Sequence, residues 1–294
     1  MTMLCFGESL NVMGTKIGRA FKEKDPDPIK EEAKFQEDQG MDYIDINLGP
    51  AKKTGKELMP WVVETVQEVT DLPLLLDTSN VEAIEEGLKV CKKTPIINSI
   101  MCRPEIYEKM LPMAAEYNAD FVALMWGPDG LPRDENERAA LCVELLTVAN
   151  EMGISNEKIW VDGIVTPVNV QQDHAPMLLR FYDMLQDIAP GARSTCGLSN
   201  VSNGPPDHLR PILNQTYAVM LERSGMQSII TDPRDEKMTQ IAKGQRPDIH
   251  EIIYKVMDGD IPDVNELSQE MADYVKTAKV LMGHALYSDS WLEL

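Results

Sequence analysis

Seven polar residues fall where short apolar runs stop. Glu8 follows "LCFG", Asp45 and Asn47 sit in "YIDINLGP", and Asp77 ends "LPLLLD". Asn98 closes "PIIN", Asp162 closes "IWVD", and Asn200 follows "CGLS". Asn11 lies just past Glu8 in "GESLN". A carboxylate ending a buried run is costly unless something pairs with it. Taken singly, each such residue can be a helix cap. Taken together they are more than caps. Asn80 is better placed than Asp77 to cap "VEAIEEGLKV", and Asn200 lies well upstream of the next helix start at Pro206–Asp207. Ionised Asp only accepts hydrogen bonds, whereas Asn donates and accepts. A ring of the two suits a neutral heterocycle with several N–H donors and one or two acceptors.

Other chemistries lack their residues. There is no H-E-x-x-H, no histidine cluster and no G-x-S-x-G elbow, so a bound catalytic metal is not expected. "WVDG" stands at the end of the sixth run, where a Schiff-base lysine would belong. The net charge of −20 repels nucleic acid and anionic lipid. The five cysteines form no C-x-x-C pair, which argues against a disulfide framework or a zinc ribbon. Met1–Phe6 is too short for a signal peptide, and no apolar stretch approaches the roughly 20 residues of a membrane helix. A reduced, cytoplasmic protein with no membrane contact is expected.

The polar ends need elements to bring them together. Strand-like runs are Met3–Phe6, Tyr43–Asn47, Leu72–Asp77, Pro95–Asn98, Phe121–Trp126, Ile159–Asp162, Ser194–Leu198 and Gln227–Ile230. Helical patterns lie between most of them: Pro28–Gln39, Lys56–Val69, Val81–Val90, Arg103–Tyr117, Glu135–Met152, Ala175–Ile188 and Asp207–Arg223. Strand and helix in eightfold alternation predict an α/β fold, a (β/α)8 TIM barrel. An open doubly wound sheet is the second topology, weakened because no G-x-G-x-x-G follows the first run. In a barrel, every strand C-terminus lies at one mouth. A single domain over residues 1–294 is expected, with an extra helical segment at about 244–270 before the terminal helix.

Five motifs in order carry a family resemblance. They are "GESLNV" at Gly7–Val12, "DINLGP" at Asp45–Pro50, "LLLDTSN" at Leu74–Asn80, "INS" at Ile97–Ser99 and "GLSNVS" at Gly197–Ser202. Over roughly Met3–Asp232 the chain resembles the methyltetrahydrofolate:corrinoid-protein methyltransferases. These are pterin-binding barrels related to the folate module of cobalamin-dependent methionine synthase. The resemblance implies methyl transfer between N5 of tetrahydrofolate or 5-methyltetrahydrofolate, as substrate, and the cobalt of a cobalamin-type corrinoid on a partner protein. It assigns Asp77, Asn98 and Asp162 to the pterin ring and Asn200 to N5, with Asp162 and Asn200 as the catalytic pair. Glu8, Asn11, Asp45 and Asn47 fall in matching motifs near the mouth. Ser199, Ser202 and Asn203 share the Asn200 loop, and Arg210 is a weaker candidate. A homodimer is implied as well.

No corrinoid-binding D-x-H-x-x-G is complete, because Ile253 stands where "DIH" at Asp248–His250 needs its glycine. The corrinoid is therefore expected on a separate protein. The loops "WGPDGLPRDENER", "TPVNVQQDHAP" and "SNVSNGPPDHLRP" are candidates to dock it. Two alternatives stand beside this. A dihydropteroate synthase-like enzyme needs basic groups at the mouth, and Arg234 after the eighth run is one. A non-catalytic folate-binding protein would use the same ring without turnover.

Overall fold

The computed structural model describes residues 2–293. Eight strands form one sheet: β1 (Leu4–Asn11), β2 (Tyr43–Gly49), β3 (Leu74–Thr78), β4 (Ile96–Met101), β5 (Asp120–Leu124), β6 (Ile159–Asp162), β7 (Arg193–Ser194) and β8 (Ser228–Thr231). Helices α1 (Thr15–Glu23) and α2 (Pro26–Asp38) join β1 to β2. Then α3 (Gly55–Val66), α4 (Val81–Val90), α5 (Pro104–Glu116), α6 (Glu135–Glu151) and α7 (His174–Ile188) follow one strand each. Helix α8 (Arg210–Arg223) precedes β8, and α9 (Glu236–Ala242), α10 (Pro247–Met257) and α11 (Gln269–Leu281) follow it.

The sheet order is β7-β6-β5-β4-β3-β2-β1-β8, and every strand pair is parallel. The seam between β7 and β8 closes through a single parallel bridge, Gly197–Ile230. The Ile230 amide donates to the Cys196 carbonyl at 2.8 Å. This is a (β/α)8 barrel, joined more loosely at one seam than elsewhere.

Strand side chains alternate between the lumen and the helices. Outward residues such as Ile44, Ile46, Leu74, Leu76, Ile97 and Ile159 are fully or almost fully buried under the helical ring. Burying one such side chain contributes about 1.5–3 kcal/mol. The inward set at the lower level is Phe6, Leu75, Ile96, Val122, Trp160 and Ile230, with Tyr43 packed against it. Phe6 lies 4.7 Å from Tyr43 and 5.3 Å from Trp160, ring centre to ring centre. This aromatic plug closes the lumen, so the next inward residues, two positions on, form a floor at the mouth.

The main departures from the expected elements are at β1, α1, the seventh strand and the extra segment, and the short α9 was not expected either. β1 runs on to Asn11, with its register to β2 shifting between Gly7 and Leu10. Helix α1 was not expected. "TKIGRAFKE" is short and highly charged, yet Ile17, Ala20 and Phe21 are buried. The seventh strand, expected over Ser194–Leu198, keeps only Arg193–Ser194, and Leu198–Ser202 is a 3-10 helix. The chain there changes partners: the Thr195 amide bonds Val161 of β6, while the Cys196 carbonyl bonds Ile230 of β8. The extra segment expected at about 244–270 is one helix, α10, followed by an irregular link and a 3-10 turn at Val264–Glu266. α10 and α11 pack on each other and on α8, on the barrel flank. Gln172 donates to the carbonyls of Val280 (2.7 Å), in the last turn of α11, and of Ala285 (2.6 Å) beyond it, tying the tail to the β6–α7 loop. No helix among the described residues is long and apolar enough to cross a membrane.

Candidate functional site at the barrel mouth

Two residues above five of the lumen-filling side chains stands a polar one: Glu8 above Phe6, Asp45 above Tyr43, Asp77 above Leu75, Asn98 above Ile96 and Asp162 above Trp160, with the apolar Leu124 above Val122. Strand register then sets their depth. Asn47 pairs with Asp77, and Asp77 with Asn98, in adjacent strands. Asp45 lies one step deeper, level with Leu75. A cavity of about 340 Å³ opens above them. Its lining brings together Glu8, Asn11, Asp45, Asn47, Asp77, Asn98, Asp162 and Asn200. Asn80, not Asp77, caps α4, accepting from the amides of Glu82 (3.1 Å) and Ala83 (3.3 Å). Asp77 is thereby left to the cavity.

The floor is cross-linked. Asn47 donates its Nδ2 to Asp77, and Asn98 Nδ2 donates to Asp45 at 3.1 Å. Asp162 accepts the Ile164 amide at 2.8 Å. Ser199 donates to Glu8 at 2.6 Å, joining the loop after β7 to β1. Asn200 is exposed, and its Oδ1 accepts the Asn203 amide group at 3.0 Å. Its Nδ2 has no acceptor among the described residues and is a free donor at the mouth.

The structure does not bring four of the expected residues to the cavity wall. Ser199 reaches it only through Glu8, and Asn203 only through Asn200. Ser202 is completely buried. It donates to the Ser199 carbonyl at 3.2 Å and receives Arg210 Nε at 3.4 Å, so it shapes the loop from beneath. Shared sequence position in the loop does not distinguish its inner from its outer side. Arg210 likewise lies behind that loop. Seven other residues complete the lining: Ser99, Leu124, Trp126, Ile164, Val165, Gly197 and Ile230. Leu124 and Trp126, two apart at the end of β5, were legible as the inward face of "FVALMW". Ser99 follows a cis Asn98–Ser99 peptide, which nothing in the sequence signals.

Crowding carboxylates into this floor raises their proton affinity. Burial pushes Asp77 up to about 7. Burial pushes Asp162 up to about 6, against the bonds it accepts from the Ile164 and Gly197 amides. Asp45 is raised well above the usual range, first by burial and then by Asp77, with Asn98 opposing. Glu8 is raised by burial, with Ser199 opposing. Their folded-state values lie above those of an unfolded chain, near 4. Between those limits the folded protein holds protons that the unfolded chain has released. Stability then falls as pH rises. The empty protein is expected to lose thermal stability from about pH 5 to pH 8. In Asp77→Asn the fall should be shallower, because that proton no longer titrates. Melting curves over this range check the prediction, and parallel slopes in the two proteins would refute it.

The fold and site define a parallel (β/α)8 barrel whose mouth gathers carboxylates and carboxamides around one cavity. The sequence profile of the pterin binding enzymes matches residues 7–232, and the chain belongs to that family. It is 26% identical over 238 residues to the methylcorrinoid:tetrahydrofolate methyltransferase of Eubacterium limosum, covering 80% of this chain and 87% of that one. It is 23% identical over 265 residues to the methionine synthase of Mycobacterium leprae, covering 86% of this chain but only 22% of that longer protein. Among solved structures, a Yersinia pestis dihydropteroate synthase bound to a pterine-sulfa conjugate superposes with a TM-score of 0.65. It is 19% identical, over 84% of this chain and 95% of that one. The Vibrio fischeri 7,8-dihydropteroate synthase gives 0.67 at 19% identity, over 84% and 93%. At such identity these two share the fold.

Proposed function

We propose that this protein is a methyltransferase that moves a methyl group between N5 of tetrahydrofolate and the cobalt of a corrinoid carried on a separate protein. One observation carries it above all: Asn200 opens a donor without an acceptor into the cavity that holds Asp77, Asn98 and Asp162. The similarity to the methylcorrinoid:tetrahydrofolate methyltransferase supports it.

The donor set fits a pterin. Asn47 donates to one oxygen of Asp77, Oδ2, which leaves Oδ1 for a ring N–H or amino group. Asp162 keeps acceptor capacity beyond its backbone bonds. Asn98 spends one N–H on Asp45 and retains its carbonyl oxygen and a second N–H. Trp126 and Leu124 offer flat and apolar wall beside them. Leaving N5 is eased when its developing lone pair meets a donor, which is the part given to Asn200 Nδ2. An amide cannot give up a proton, so Asn200 acts by electrostatic stabilisation, and water beside Asp162 is the proton route. In the opposite direction the same contacts position N5 as the nucleophile. The corrinoid supplies the cobalt–methyl bond when its carrier docks at the mouth, where the β5, β6 and β7 loops stand.

A dihydropteroate synthase-like role finds less support. Arg234, the basic residue that reading needs, pairs with Glu32 of α2 at 2.8 Å, lies over the Phe35 ring and does not line the cavity. A homodimer in the cytoplasm belongs to our reading, and the five free cysteines fit the reducing compartment alone. Mixing the protein with tetrahydrofolate and methylcobalamin in a stopped-flow spectrometer is expected to bleach the methyl–cobalt spectrum. An unchanged spectrum, with turnover of a pterin pyrophosphate and p-aminobenzoate instead, would overturn the proposal.

A further inference from the structure

Behind Asp162 lies a buried cation that the mechanism above does not use. Arg138 of α6 is completely buried, the one Lys or Arg so placed among the described residues. It makes no ion pair there. Its Nε donates to the Gly163 carbonyl at 2.7 Å, its Nη2 lies 3.2 Å from His174 Nδ1, and its Nη1 has no partner. A buried unpaired charge is costly. It also occupies an apolar stripe, in register with Cys142, Leu145 and Ala149, where a leucine would be stabilising.

What Arg138 grips is the peptide following Asp162. The Gly163 amide donates to Tyr182 Oη at 2.9 Å, and Tyr182 donates on to the Thr195 carbonyl at 3.1 Å. Gly163 is therefore held on both sides. It has no room for a side chain, since a Cβ there would lie 2.5 Å from Leu178 Cδ1. The next residue, Ile164, has φ +69°, a left-handed conformation that a β-branched residue rarely adopts. In that conformation its amide bonds the Asp162 carboxylate. Such strain persists only where the surroundings over-determine it.

We propose that Arg138 is a positioning residue for Asp162: with Tyr182 it clamps the Gly163 peptide, holds Ile164 in its left-handed turn, and places a fixed positive charge behind the carboxylate. The other groups around the pair are in no state to supply that charge. Tyr182 of α7, Tyr217 of α8 and Cys196 after β7 are all held neutral by burial. His174 is biased toward its neutral form by burial and by Arg138 itself. Asp134 and Glu135, at the start of α6, face Arg138 with charge of the opposite sign. The role matters for turnover through the part given to Asp162 under the proposed function, but the clamp itself is tested without any ligand.

The experiment uses the full chain with carboxyl-13C aspartate, the Asp162 signal being assigned through Asp162→Asn. In Arg138→Met the Asp162 titration midpoint should rise by about half to one pH unit. In Tyr182→Phe, which keeps the charge, it should stay at the wild-type value. The Ile164 amide should exchange with solvent about tenfold faster in Tyr182→Phe and in Arg138→Lys, because the clamp loosens in both. A purely structural arginine would lower the melting temperature yet leave the Asp162 midpoint in place. A folded Arg138→Met with an unmoved midpoint overturns the electrostatic part. If Arg138→Met does not fold, unchanged Ile164 exchange in the other two variants overturns the clamp. Failure of the wild type to bind tetrahydrofolate would count against the proposed function alone, because neither measurement involves folate.

Discussion

Replacing Asn200 by alanine is expected to lower the rate of methyl transfer by about 10²–10³-fold, the usual loss when one preorganised donor to a transition state is removed. Tetrahydrofolate affinity should change by no more than about threefold, because a donor realised mainly in the transition state contributes little to the ground state. The geometry supports this division. Asn203 occupies the Asn200 carbonyl oxygen and leaves Nδ2 free beside Gly197 of the lining, while the floor of the cavity is made by other strands. The side chain is exposed, so its loss leaves no cavity in the core. Single-turnover measurements with a methylated corrinoid protein separate rate from binding. A mutant as fast as wild type would remove Asn200 from the mechanism, and an equal loss in rate and affinity would make it a binding residue only.

Asp77→Ala should show the opposite pattern: a weakening of folate binding by about 10–100-fold, with a much smaller change in the rate at saturation. A charge-assisted hydrogen bond contributes about 1.5–3 kcal/mol, and its loss strands the partner that donated to it. Here the stranded partner includes the Asn47 amide as well as the ligand. Asp77→Asn should recover only part of the affinity, since its amide group would present N–H to other N–H donors. The affinity of the wild type should also rise from pH 6 to pH 8, as Asp77 gives up the proton that burial makes it hold. That rise should be smaller in Asp77→Asn, where Asp162, raised to about 6, still titrates. Titration calorimetry in two buffers of different ionisation enthalpy would register the proton released on binding. Equal affinity of mutant and wild type at pH 8 would remove Asp77 from the site.

The barrel was legible because its signals are local. Apolar runs, and a cap such as Asn80 beside its helix, each lie within a few residues of one another. The mouth residues were legible for a related reason. In a parallel barrel the strand end is itself a position in space, so Glu8 and Asn200, far apart in the chain, share one rim. What escaped depended on side-chain direction. Ser199 and Ser202 are three residues apart in one loop, yet one touches Glu8 and the other is buried beneath. The seventh strand was overestimated because "STCGL" reads as extended. Its hydrogen bonds divide between β6 and β8 at the closing seam, a competition that no local pattern records.

By itself, then, the order of residues determined which groups stand at the mouth and how many hydrogen bonds they can give or take. Those properties belong to residue type and to a period of two. The tertiary structure alone decided how the groups share their bonds: Asn47 with Asp77, Asn98 with Asp45, Ser199 with Glu8. It also decided that Arg138, an ordinary charge in a helical sequence, lies wholly inside and behind Asp162. Burial and long-range pairing set these features, since the energy of a charge depends on what surrounds it in three dimensions and not on its neighbours along the chain.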